Sequence, residues 1–320
     1  MNLTELNRKF NTRLKCLNYL GKMRWGKNVT CAYCGSEETR PLKSEAGRYN
    51  CRNCKRNFSV TIDTIYQDSR LSLPKWFQVI ALMLNAKKGI SAKEIMRNVN
   101  VSYKTAWYAC MRVRCAMIDN CEELQNIVEM DEAYTGGKPR KKYPNDPSNP
   151  SISTITNKRG RGTKKVPVVG IVERDGKIVL KVIEKLTGRN LLSMLKDNVK
   201  TDNAIVITDD FSSYKKFDKE VEHLVIDHKK EFSKGIVNTN TIEGFWAILK
   251  NSIRGQYVAL SKKYLPFYLV QAQYIYNHRN YKGNLFQKYI KASVSDEKCL
   301  LYYKPKGDVK KLVYNRNKCN

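Results

Sequence analysis

Residues 237–254, VNTNTIEGFWAILKNSIR, read as a helix that carries a carboxylate and a cation on one side. Asn240 and Thr241 are both candidate caps. Glu243 and Lys250 are seven positions apart, two turns at about 100° per residue, and so share a face. Phe245, Ile248, Leu249 and Ile253 occupy the remaining arc as candidate core. Working outward, two apolar runs upstream each end in an acid: Val206-Ile207-Thr208-Asp209 and Ile127-Val128-Glu129-Met130-Asp131. Short β-branched runs of this kind are candidate buried strands. Two carboxylates at strand ends and a third on a later helix are what a two-metal phosphoryl-transfer site needs. Mg²⁺ and Mn²⁺ take oxygen ligands, and a pair of ions serves the attacking and leaving oxygens of a displacement.

The elements around these acids predict an α/β fold. Residues 166–172 and 177–182 alternate as strands and are joined by Glu173-Arg174-Asp175-Gly176, a hairpin signal. A helix over 188–199, a strand over 204–208, a short helix over 211–217 and a strand over 223–226 follow. This order fits a mixed sheet flanked by helices. Strand alternation puts Glu129 on the same face as Asp131 and Glu132 on the opposite one, so Glu129 rivals Asp131 on spacing alone. Asp210 likewise competes with Asp209. Asp202, Asp218 and Asp227 read as turn formers or solvated charges, and His223, His228 and His278 as surface or packing residues. His228, followed by Lys229-Lys230, is the histidine best placed to touch a phosphate.

Upstream, Cys31-Ala32-Tyr33-Cys34 and Cys51-Arg52-Asn53-Cys54 are two CxxC pairs with 16 residues between them. Four thiolates at this spacing close a tetrahedral structural Zn²⁺ site in a zinc ribbon. Arg40, Lys43, Arg48, Arg52, Lys55 and Arg56 make that module basic. Residues 1–26 predict one short amphipathic helix before it. Over residues 71–118 the pattern is helical: Pro74 can start one helix, Ser91 cap a second, and Ser102 or Thr105 cap a third. The last two predict a helix-turn-helix, with Tyr103, Lys104, Tyr108 and Arg112 directed at DNA. Residues 265–280 form an aromatic-rich helix.

Composition narrows the partner. The 320 residues hold 59 Lys+Arg against 30 Asp+Glu, a net charge of +29. Such an excess points to a polyanion, and neutralised phosphates release condensed counterions. The sequence has no 18-residue apolar run, signal-peptide pattern or basic amphipathic anchor, so double-stranded DNA is expected and a membrane is not. Residues 138–165 predict a basic loop, in which Lys158, Arg159, Arg161, Lys164 and Lys165 are candidate DNA contacts.

Together these motifs resemble the DDE transposases, specifically the insertion-sequence group with an N-terminal zinc ribbon, to which the eukaryotic Merlin elements are related. The resemblance rests on Asp131 in VEMDEAYTGGK, Asp209 in VITDDFSSY and Glu243 in NTNTIEGFWAILK, with Lys250 seven residues on. It implies a ribonuclease H-like catalytic domain in which Asp131, Asp209 and Glu243 bind two Mg²⁺ or Mn²⁺ ions. It also implies an intracellular, DNA-associated protein that cuts and joins DNA at the ends of its own element, as a homodimer or larger synaptic assembly. The expected layout is a helical segment over 1–26, the ribbon over 27–68, the helix-turn-helix over 69–121, the catalytic domain over 122–283 and a basic tail over 284–320.

Overall fold

The computed structural model describes residues 1–118, 123–135, 165–226 and 237–294. The chain divides into two compact units, Met1–Asp119 with Val270–Asn320, and Asn120–Leu269. Among the described residues no helix is long and apolar enough to cross a membrane.

The first unit begins with two helices, α1 (Leu3–Lys9) and α2 (Arg13–Trp25), where the sequence predicts one. Capping explains the difference. The Asn2 side chain accepts from the Glu5 N–H and the Thr12 side chain from the Lys15 N–H, so the chain stops and restarts between them. Three short antiparallel strands follow, β1 (Thr39–Pro41), β2 (Arg48–Cys51) and β3 (Asn57–Ser59). Their core is small: Cys31, Cys51 and Phe58, with Trp25 set edge-on to Tyr49 and Phe58.

Next come α3 (Leu73–Asn85), α4 (Ala92–Val99) and α5 (Tyr103–Cys115). Pro74 lies in the first turn of α3, which buries Trp76, Phe77, Val79, Ile80 and Met83. Ser91 and Ser102 cap α4 and α5, accepting from the Glu94 and Thr105 N–H groups. Between those helices Asn100 adopts the left-handed conformation, with φ of 51°. A short polar side chain tolerates this geometry better than most.

The second unit holds β4 (Leu124–Thr135), β5 (Val166–Glu173), β6 (Ile178–Val182), α6 (Gly188–Lys196), β7 (Val199–Asp209), β8 (Glu222–Ile226) and α7 (Asn240–Ser252). A 3₁₀ stretch, Ser212–Lys219, precedes β8. The sheet order is β6-β5-β4-β7-β8. Pairing is antiparallel for β4/β5 and β5/β6 and parallel for β4/β7 and β7/β8, which makes it the mixed sheet expected. On one face Val128, Met130, Val169, Ile171 and Val206 pack against Leu191, Met194, Leu195, Tyr214 and Phe217. The other face carries α7.

From Val270 onward, α8 (Leu265–Asn277) belongs to the first unit, and so does α9 (Leu285–Ser293). The expected catalytic range runs to residue 283, whereas the compact unit ends at Leu269. The sequence predicts only a basic tail beyond 284, yet Phe286, Tyr289, Ile290 and Val294 of the α9 region are buried in the core with Phe77 and Val113. Tyr289 Oη donates to the Val113 carbonyl (2.9 Å), and the Tyr66 and Ser293 hydroxyls bond at 2.8 Å.

Candidate active site

Asp131 lies in β4, and Asp209 is the last residue of β7. These strands run parallel with Glu129 paired to Ile207. Two residues further along the same register, Asp131 stands beside Asp209. Both acids are half-buried, whereas Asp210 is exposed. Glu132 points to the opposite face, where it accepts from Tyr214 Oη (2.9 Å).

Burial, with the Glu132 and Asp209 carboxylates nearby, pushes the Asp131 carboxyl up to about 7. Desolvation and like charges both disfavour the ionised form. A divalent cation relieves this crowding, and an all-oxygen donor set suits Mg²⁺ or Mn²⁺. The acids are not drawn tightly together, however. Among the described residues, the cysteine quartet alone brings three or more His, Cys, Asp or Glu ligand atoms within 4.8 Å of one another.

The third acid comes from α7. Glu243 and Lys250 are exposed on the same side of the helix, about 10 Å apart along its axis. Glu243 Oε1 accepts from Thr239 Oγ1 (2.9 Å). Three residues after Glu243, the buried Trp246 donates its indole N–H to Asp131 Oδ2 (2.9 Å). The helix that carries one acid is therefore bonded to the strand that carries another.

The start of α7 differs from the expectation of a cap at Asn240 or Thr241. Thr239 is the N-cap residue, yet its side chain makes no cap bond. The cap comes from far away in sequence: Glu129 Oε2 accepts from the Ile242 N–H (2.9 Å). Glu129 is fully buried, and its Oε1 takes the Arg174 Nε (2.6 Å). Glu129, the rival on the same face, thus has both carboxylate oxygens engaged inside the protein.

The candidate DNA residues divide. Tyr103 and Lys104 are exposed at the start of α5, and Tyr108 is half-buried. Arg112 is a correction. Its guanidinium turns inward to donate to the Gln67 carbonyl (2.8 Å) and the Thr64 carbonyl (3.4 Å), and packs over the Tyr108 ring at 5.4 Å. Arg112 lies one turn after Tyr108, where the loop before α3 meets its guanidinium. Lys165 is exposed. Lys158, Arg159, Arg161, Lys164 and His228 lie outside the described residues. His223 is packed, with a side chain 1% exposed, and lies between Asp218 and the Thr208 hydroxyl.

In the first unit, the four cysteine sulfurs form the tight group noted above. Cys31 and Cys54 Sγ are 3.7 Å apart, and Cys34 and Cys51 Sγ 3.6 Å. Four sulfurs at about 2.3 Å around a tetrahedral Zn²⁺ are about 3.8 Å apart, so the quartet fits the metal. The N–H groups of Tyr33 and Cys54 point at Cys31 and Cys51 Sγ. That backbone bond holds the Cys51 thiol low, at about 7.

Known proteins place the two regions of the chain in domain families. Residues 123–277 match the family described as the ISXO2-like transposase domain, and residues 14–57 match the transposase zinc-ribbon domain. The chain belongs to the DDE transposases of the insertion-sequence group that carries an N-terminal zinc ribbon. It is 28% identical over 244 residues to an uncharacterised protein in transposable element ISH50 of Halobacterium salinarum, covering 73% of this chain and 81% of the relative. Two solved structures are more distant. The crystal structure of the Mos1 Strand Transfer Complex shares 13% identity over 76% of each chain with a TM-score of 0.27. The pre-cleavage Mos1 transpososome shares 12% over 75% of this chain and 76% of its own, with a TM-score of 0.26. Scores this low do not define a common fold.

Proposed function

We propose that this transposase binds the ends of its own mobile element as double-stranded DNA, cleaves them and joins them to a target. The observation that carries the reading is the placement of Asp131 and Asp209 on the neighbouring inner strands β4 and β7, with Trp246 of the Glu243 helix bonded to Asp131. The hairpin-then-parallel strand order supports a ribonuclease H-like reading of this unit.

In this mechanism Asp131, Asp209 and Glu243 hold two Mg²⁺ or Mn²⁺ ions, which supply activation of the attacking oxygen and stabilisation of the leaving one. Asp131 gives up its proton as the site is loaded. Lys250, exposed beyond Glu243, contacts a phosphate near the cut. The ribbon and the α4–α5 pair, read as a helix-turn-helix, choose the site, with Tyr103, Lys104 and Tyr108 facing DNA. Residues 138–165, including Lys158, Arg159, Arg161, Lys164 and Lys165, add phosphate contacts. Joining two ends calls for a homodimer or larger synaptic assembly, working in the DNA-containing compartment of the cell.

The test is a strand-transfer assay on the DNA flanking the gene, in Mg²⁺ or Mn²⁺, with wild-type and Glu243→Ala protein. Joined products from wild type alone are expected. Cleavage without joining identifies a nuclease instead, and tight binding without cleavage by either protein identifies a DNA-binding regulator.

A further inference from the structure

The α7 helix is held to the sheet by more than core packing. At its N-terminus the local capping hydroxyl, Thr239 Oγ1, is turned to Glu243. The Ile242 N–H is instead satisfied by Glu129, 113 positions earlier. Arg174, at the turn after β5, bridges the two: its Nε donates to Glu129 (2.6 Å) and its Nη2 to the Asn238 carbonyl (2.8 Å), in the segment leading into the helix. The planar guanidinium spans both acceptors from one fork, a geometry that a Lys ammonium does not reproduce.

One turn later the helix is fixed a second time. Gly170 is the cross-strand partner of Asp131. A Cβ built on Gly170 meets Trp246 Cη2 at 2.9 Å and Ile242 Cδ1 at 3.0 Å, so the bare backbone is the seat of the helix. From that seat the Trp246 indole N–H reaches Asp131 Oδ2. An ion pair with one partner fully buried is weak support for stability, because desolvation opposes the Coulombic gain. Its directional bonds do fix the register of what they join.

We propose that Arg174, Glu129 and Trp246 are positioning residues: the Arg174–Glu129 pair grips the first turn of α7 while Trp246 holds Asp131 from the same helix, setting Glu243 and Asp131 in one register. This rests on reading those two acids as catalytic. None of the three positioning residues touches the DNA or the metals. They act on how readily the acid set closes around its ions.

The experiment uses full-length, zinc-loaded protein and duplexes that carry the element ends. Cleavage rate against Mg²⁺ concentration, end affinity and melting temperature are measured for wild type, Trp246→Phe, Arg174→Lys, Arg174→Met and Arg174→Met combined with Glu129→Gln. Trp246→Phe keeps an aromatic ring over Gly170 and removes one bond. It should raise the Mg²⁺ needed for half-maximal rate at least fivefold, leave end affinity within twofold, and recover most of its rate in Mn²⁺. Arg174→Met should melt lower and need more Mg²⁺. Adding Glu129→Gln removes the unpaired buried carboxylate and should restore the melting temperature but not the metal response. A merely structural pair predicts that both recover together.

A wild-type Mg²⁺ response in Trp246→Phe and in the double variant overturns the proposal. If either Arg174 variant fails to fold, Trp246→Phe decides alone. Cleavage that ignores Glu243→Ala overturns the catalytic reading and the proposal with it. Cleavage that depends on Glu243 but not on these three residues removes the proposal and leaves the function standing.

Discussion

Burial of Asp131 costs the fold stability once its carboxyl ionises. Its carboxyl sits at about 7 instead of its ordinary 3.8, chiefly because it is buried and then because Glu132 is near. The folded state therefore keeps a proton that the unfolded chain releases near pH 4. Stability associated with this group falls as pH rises through the interval from about 4 to 7 and is fully lost above it. Asp131→Asn should stabilise the fold at pH 8 without added Mg²⁺ by on the order of 2 kcal/mol, seen as a higher melting temperature, and abolish cleavage. At pH 5 the gain should shrink. Thermal melts at both pH values check this, and an equal gain at each would remove burial of charge as the cause. The elements that carry Asp131, Asp209 and Glu243 were legible because each acid ends an apolar run or opens a periodic helix. Arg174 was not. It sits in a turn sequence that reads as a solvated hairpin, and its partner Glu129 is 45 positions away.

At the scale of elements, local chemistry is legible wherever caps and alternation decide the structure. Ser91, Ser102 and Pro74 mark their helices, and β5 and β6 fall where alternation puts them. Burial by distant partners is not legible. The α9 segment lies in a Lys-rich stretch and reads as a tail, because much of the surface that buries Phe286 and Tyr289, including Phe10, Phe77 and Val113, lies more than 150 positions upstream. The ribbon makes the most direct prediction. Its core is three buried side chains, Cys31, Cys51 and Phe58, too few to order about 30 residues without a metal. Chelating zinc should unfold this module alone. A separate low-temperature transition should appear in the melt, while far-UV signal from the α/β unit persists and zinc returns the first transition. A single unchanged melt after complete zinc removal would count against a structural role for the quartet.

For the whole molecule, the charge of +29 would set the manner of the proposed DNA binding more than its sequence preference. If six or more phosphates are neutralised, affinity for an end-containing duplex should drop by about 10³ between 50 and 200 mM salt. Binding isotherms across that range test it, and a flat response would point to a partner other than a polyanion. The mixed α/β sheet was legible because hairpin turns and intervening helices mark its strands. The closure of the first unit by residues 270–294 was not, since nothing in their pattern names what they cover.

That closure also sets a timetable. The Tyr66–Ser293 bond spans 227 positions, and the intervening chain includes the whole of the second unit. A ribosome working at about 5–20 residues per second takes roughly 8–30 s to add the 150 residues of that unit. The α/β unit can thus emerge and fold while the helices meant for α8 and α9 still wait with an unfinished core, and contacts of such long separation form slowly. The nascent protein acquires its acid-bearing half before the half that carries the ribbon is complete.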